Sequence, residues 1–224
     1  MRGNKGRLRS CWNQRWRRRC VYTGIIAAML LAGERGGAQS AGAADADLWS
    51  DGLGRGFRSE VQSFSLEAGA DYGLAAFGSR QAHDIGVVSI GYSHMLGQVV
   101  GGDHWYRGNW EGRLELFGGS QFSPTPDWLV GFTPHLRYNL STGTRWVPFI
   151  DGGAGLTATQ IGLPDLSSTF EFNLQGGLGT QWFLRDNVAV TMEARYFHLS
   201  DAGMSRPNFG VNGVAALVGL TWFF

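Results

Sequence analysis

From about residue 60 onward, apolar and polar side chains alternate one by one through eight segments of the chain. The fourth is the cleanest: Trp128, Val130, Phe132, Leu136 and Tyr138 oppose Thr133, His135, Arg137 and Asn139. Successive strand side chains point to opposite faces, so a period of two marks a β-strand with two unlike faces. The segments are 60–72, 86–96, 109–118, 127–140, 145–157, 169–184, 187–200 and 210–224, and no window among them carries a 3.6-residue period. Most run ten residues or more, whereas strands of soluble proteins average about five or six. The stretch Ser120 to Pro126 reads as a turn between the third and fourth segments.

Two architectures use such strands. In a soluble sandwich or lipocalin-like barrel the apolar face is the core. In an outer-membrane barrel the pattern is inverted, with the apolar face in lipid and the polar face inside. Three features favour inversion. Aromatic residues gather at segment ends (Trp110, Trp128, Tyr138, Trp146, Trp182, Tyr196, Trp222), as interfacial girdles do. The polar face carries charges of both signs, including Glu111, Arg113, Glu115, Arg137, Asp151, Glu171, Glu193 and Arg195. Eight strands leave an interior just wide enough for side chains, so these charges can pair there. The chain also ends on Trp222-Phe223-Phe224, resembling the terminal aromatic signal of bacterial outer-membrane barrels. The expected fold is all-β: an eight-stranded antiparallel transmembrane β-barrel of the bacterial outer membrane.

Residues 1–40 read as a signal peptide instead of fold, with cleavage near 38–43. Eight basic residues from Arg2 to Arg19 precede the apolar run Val21 to Gly33, which is too short to span a bilayer as a helix. Its removal leaves 41–224 as one domain with ten arginines, no lysine and 17 acidic residues, a net charge of −7. Cys11 and Cys20 both leave with it, so the mature chain can form no disulfide. A nucleic-acid partner is not expected, since the basic run belongs to the exported segment.

The seventh segment ends in a way that strand packing alone does not require. Parity puts His198 and Ser200 on the apolar face with Val190, Met192 and Tyr196, about 7 Å apart along the strand. Odd strands of an up-and-down barrel with periplasmic termini run outward, so this pair lies near the extracellular rim, at the depth of the outer leaflet. Asn212 opens the eighth segment on the same parity. His198-Leu199-Ser200-Asp201-Ala202-Gly203 followed by Pro207-Asn208-Phe209-Gly210-Val211-Asn212 resembles the signature of the PagL family, outer-membrane enzymes that remove an ester-linked acyl chain from lipid A. The resemblance implies Ser200 as nucleophile, His198 as general base and Asn212 as the residue orienting the base. Asp201 stands where the family usually has Asn, and Asn212 where its best-known form has Glu. An amide can fix an imidazole tautomer but brings no charge to stabilise the imidazolium. Asp201 is therefore an alternative third member, and Asn208 with the backbone N–H groups near Gly203 are the candidate oxyanion donors.

The implied partners are lipid A, or lipopolysaccharide, and the surrounding outer-membrane lipids; a homodimer is left open. No cofactor is expected. His83, His94, His104 and His135 show no metal-ligand spacing. Gly152-Gly153-Ala154-Gly155 is no phosphate cradle, because no helix follows it. A non-enzymatic small barrel that retains the motif is the competing function, and Asn212 is the residue that keeps it in contention.

Overall fold

The computed structural model describes Phe57 and residues 59–224, so the proposed signal peptide lies outside the described residues. Eight strands follow in chain order: β1 (Gln62–Gly73), β2 (Asp84–Met95), β3 (Gly108–Ser123), β4 (Asp127–Leu140), β5 (Trp146–Thr159), β6 (Phe170–Arg185), β7 (Val188–Ser200) and β8 (Val211–Phe223). Each pairs antiparallel with its sequence neighbours, and β1 pairs with β8 to close the barrel. The expected segments match these strands, except that β3 continues to Ser123 and leaves only residues 124–126 as the turn. Pairing goes on there (Ser120 with Trp128, Gln121 with Asp127) after apolar alternation has stopped. At the rim the ladder no longer needs one lipid-facing side, so side-chain pattern and hydrogen bonding part company.

The sheet is inverted relative to a soluble barrel. Outward side chains are large and apolar yet open, among them Ile90 at 54 %, Leu114 at 49 % and Leu178 at 66 % exposure. Arg113, Arg137, Glu115 and Glu193 point inward and are buried. Outward aromatics form two belts. Tyr92, Trp110, Tyr138, Trp146, Trp182 and Trp222 encircle the end that carries the C-terminus; Trp128, Phe170 and Phe172 stand toward the other. Trp128 and Tyr138, on one strand, are ten residues apart. At about 3.3 Å per residue and a tilt of about 40°, that is about 25 Å along the axis, the height of a membrane barrel's apolar band.

The interior is stacked in three layers. Phe57, Met95, Val147, Phe183, Ala189 and Phe223 plug the terminal end, where the Phe57 ring meets Phe183 and Phe223 at centroid distances of 5.5 Å. The middle is ionic. Arg113 donates to Glu67 (2.7 Å) and Glu115 (2.9 Å), Arg195 to Glu115 (2.7 Å) and Glu193 (2.6 Å), and Arg137 to Asp151 (3.0 Å) and Glu193 (3.2 Å). His135 joins the same network through Asp151, Nδ1 to Oδ1 at 2.6 Å. A second apolar layer, including Ile85, Phe117, Leu129, Phe197, Leu199 and Val211, closes the far end beneath the site.

Candidate active site

Register assembles the site. Strands β7 and β8 pair so that His198 lies directly opposite Asn212, while Ser200 shares the face of His198 two residues on. Directly opposed residues have Cβ atoms about 5 Å apart, within reach of an imidazole and an amide. His198 Nδ1 lies 2.8 Å from Asn212 Oδ1, and Nε2 lies 3.1 Å from Ser200 Oγ. An amide oxygen only accepts, so with Asn212 in this orientation a neutral imidazole carries its proton on Nδ1 and turns the Nε2 lone pair to the serine hydroxyl. The Tyr196 hydroxyl donates to the same Asn212 Oδ1 at 2.5 Å. This is the arrangement in which an imidazole can take a proton from a hydroxyl.

Asp201, the alternative third member, is engaged elsewhere. Its Oδ1 accepts the Gly203 N–H at 2.9 Å, and its Oδ2 accepts the Ser205 N–H at 2.7 Å together with the Ser205 hydroxyl. The carboxylate therefore shapes the turn after β7, and the Gly203 N–H points at it. The Ser205 hydroxyl first, then the Ser205 and Gly203 N–H groups, hold the Asp201 carboxyl below its ordinary range. A depressed carboxylate supports its turn at every pH above the ordinary carboxylate range and loses that support only as pH falls through the lowered value. Between pH 6 and 9 this turn does not titrate through Asp201. Asn208 is half-buried, and its Oδ1 has no hydrogen-bond partner among the described residues.

Asn212 shares the outward parity of His198, but it is wholly buried. The β1–β2 loop (residues 74–83) folds over it: Leu74 N–H donates to the Asn212 carbonyl at 2.7 Å, and Asn212 Nδ2 donates to the Ala76 carbonyl at 3.0 Å. Ser79 Oγ donates to the Gly210 carbonyl at 2.6 Å. Asp165, from the β5–β6 loop (160–169), fastens this cover. Its carboxylate accepts from Arg80 N (2.6 Å) and Gln81 N (3.0 Å) and contacts His83 Nε2 (2.9 Å). Its carbonyl accepts the N–H groups of Phe209 (2.9 Å) and Gly210 (3.3 Å) in the β7–β8 loop (201–210). Three loops thus meet at one buried acid. Nothing in the sequence singled out Asp165 or Ser79; barrel order puts their loops at one end, but which side chain bridges them depends on loop conformation.

Gly210 bears directly on the imidazole. Its φ is +77°, and a Cβ there would lie 2.9 Å from His198 Cε1. Gly210→Ala strains the backbone and pushes the ring off the serine, where a displacement of about 1 Å costs about 10²-fold in rate. The expected result is a loss of kcat of about that size with KM little changed. Kinetics on folded protein, verified by a heat-dependent gel shift, measure it; an unaltered kcat removes Gly210 from the site.

A family model described as lipid A 3-O-deacylase (PagL) matches residues 87–221, well over half the chain. The chain belongs to the lipid A 3-O-deacylase family. Among solved structures, the outer-membrane enzyme PagL is 20 % identical with a TM-score of 0.52, over 70 % of this chain and 97 % of that one. Neisserial surface protein A is 14 % identical with the same TM-score of 0.52, over 73 % of this chain and 97 % of its own. At such identities these two likenesses establish an outer-membrane-type eight-stranded barrel, and family membership rests on the sequence model. Comparison with curated proteins finds no match.

Proposed function

We propose that this protein is an esterase that removes an ester-linked acyl chain from the 3-position of lipid A, with Ser200 as nucleophile, His198 as base and Asn212 as its orienting partner. The observation that carries this reading is the hydrogen-bonded series Ser200–His198–Asn212 in a chain of the deacylase family. As Ser200 Oγ bonds to the ester carbonyl carbon, its proton passes to His198 Nε2. The tetrahedral intermediate collapses by expelling the sugar oxygen, which takes the proton back from His198. Water, activated by the same imidazole, then attacks the acyl-serine and releases the free fatty acid. The Asn208 side-chain amide is the donor we assign to the oxyanion. The Gly203 N–H is already given to Asp201, so it is not.

Placement agrees with the substrate. With both termini in the periplasm, β7 runs outward and ends at Ser200, at the level of outer-leaflet lipid A. Phe172 is paired with Ser200 across the β6–β7 ladder. It also borders a shallow external groove of about 320 Å³ lined by Phe132, Pro134, Ala154, Gly155, Leu156 and Phe172. A strip lined by apolar residues suits an acyl chain better than a water-soluble ester.

Mass spectrometry of lipid A from cells with and without the protein is the direct test. Loss of one hydroxyacyl mass is expected, and unchanged lipid A would favour the non-enzymatic barrel. Asn212→Ala should slow the purified enzyme by about 10–10²-fold, less than removal of the serine, since nucleophile and base both remain. A rate equal to that of the unaltered protein would take Asn212 out of the mechanism.

A further inference from the structure

An asparagine beside a catalytic imidazole carries an ambiguity that a carboxylate does not. Its two ends have nearly the same shape and opposite hydrogen-bonding character. With Oδ1 toward His198 the ring is protonated on Nδ1 and basic on Nε2, facing Ser200. With Nδ2 toward His198 the ring is driven to the other tautomer, which presents N–H to the serine and cannot accept its proton. Some group must choose between the two.

Tyr196 cannot choose, because a hydroxyl donates to an oxygen or accepts from an N–H equally well. The Ala76 carbonyl can only accept, and it lies 3.0 Å from the far end of the amide. Turning the amide over would set two acceptor oxygens against each other in a buried place. We propose that the main-chain carbonyl of Ala76, carried by the β1–β2 loop, is a positioning group that fixes the productive tautomer of His198 through the amide of Asn212. The inference rests on His198 being the base.

The loop is shaped to present that carbonyl. Phe77, next in the chain, has φ +54°, a conformation bulky residues seldom adopt. Rotation about this bond sets the direction of the peptide that contains the Ala76 carbonyl. The Phe77 side chain is 83 % exposed and touches the Tyr196 ring edge-on at 6.4 Å, so little packing accounts for the conformation. The Ser79 N–H also donates to the Ala76 carbonyl, at 3.1 Å.

Proline cannot adopt a positive φ, so Phe77→Pro redirects the carbonyl, while Phe77→Gly removes the ring and keeps the conformation open. Each is made in the native background and with Asn212→Asp, where either oxygen accepts from Nδ1 whichever way the carboxyl turns and the far oxygen gains no hydrogen bond from the Ala76 carbonyl, so that carbonyl no longer selects the tautomer. In the native background Phe77→Pro should lower kcat about 10-fold on lipid A in detergent, and Phe77→Gly by less than about 2-fold. In the Asn212→Asp background Phe77→Pro should cost less than about 2-fold. Equal losses in both backgrounds, or no loss in either, overturn the proposal.

A second readout needs no turnover. In ¹⁵N-histidine-labelled protein, the resonances missing from His198→Ala identify the ring. They should report Nδ1–H in the native chain and a mixture of tautomers in Phe77→Pro; an unchanged tautomer in Phe77→Pro overturns the proposal. If Phe77→Pro forms no barrel, deletion of Ala75 to Phe77 carries the same expectations. A failure of the underlying reading is seen separately, as Ser200→Ala retaining activity.

Discussion

Ser200→Ala and His198→Ala are each expected to lower lipid A deacylation by about 10⁴-fold or more while leaving a folded barrel. Loss of a nucleophile or its base removes the covalent route altogether, and members of such a unit are far from additive, so the double variant should be no slower than either single one. Folding should survive because neither side chain belongs to the interior. Both are half-buried on the outward face, and the serine hydroxyl's hydrogen bond to His198 is worth about 1 kcal/mol. Rates on purified lipid A in detergent, with a heat-dependent gel shift as the folding control, measure both effects. Turnover by both variants within about 10-fold of the unaltered protein would remove the proposed nucleophile and base together.

The second large effect is expected on the inward face of the same strand. Arg195 is bonded to Glu115, Glu193 and Gln175 inside the barrel. Arg195→Met deletes the cation and leaves buried carboxylates without their main counter-charge, which costs about 3–5 kcal/mol when one partner of a buried pair is removed. Leu178→Ala, on the lipid side, exchanges one apolar surface for another and should cost much less. Urea unfolding of the two variants in the same detergent compares them directly. A shift below about 1 kcal/mol for Arg195→Met would mean the ionic layer contributes little to stability.

The fold was legible because a membrane barrel writes its architecture into every second residue. Trp128 through Tyr138 on β4 could be assigned to a face one by one, and the lipid leaves few ways to satisfy the backbone of such strands. Legibility stopped where pairing outlived the pattern, at Ser120 to Ser123, and again in the loops. His198, Ser200 and Asn212 were readable from parity and from the motif that contains them. The burial of Asn212 was not, because it depends on the Ala76 carbonyl, and a main-chain atom leaves no residue type to recognise. Asp165 was equally silent. An acid after Leu163-Pro164 looks like an ordinary turn residue until three loops are seen to converge on it.

The ionic middle layer also constrains how the molecule can enter a bilayer. Arg113, Arg137 and Arg195 are tolerable at that depth only because all eight strands stand between them and the hydrocarbon. A sheet of five or six strands lying open in the membrane would hold those guanidinium groups, and the carboxylates meant for them, against lipid at a cost of several kcal/mol each. Adding strands to the membrane one at a time would incur that cost at each step. The charged interior therefore favours closing β1 onto β8 together with passage across the apolar zone, so that the charges meet one another before water leaves them.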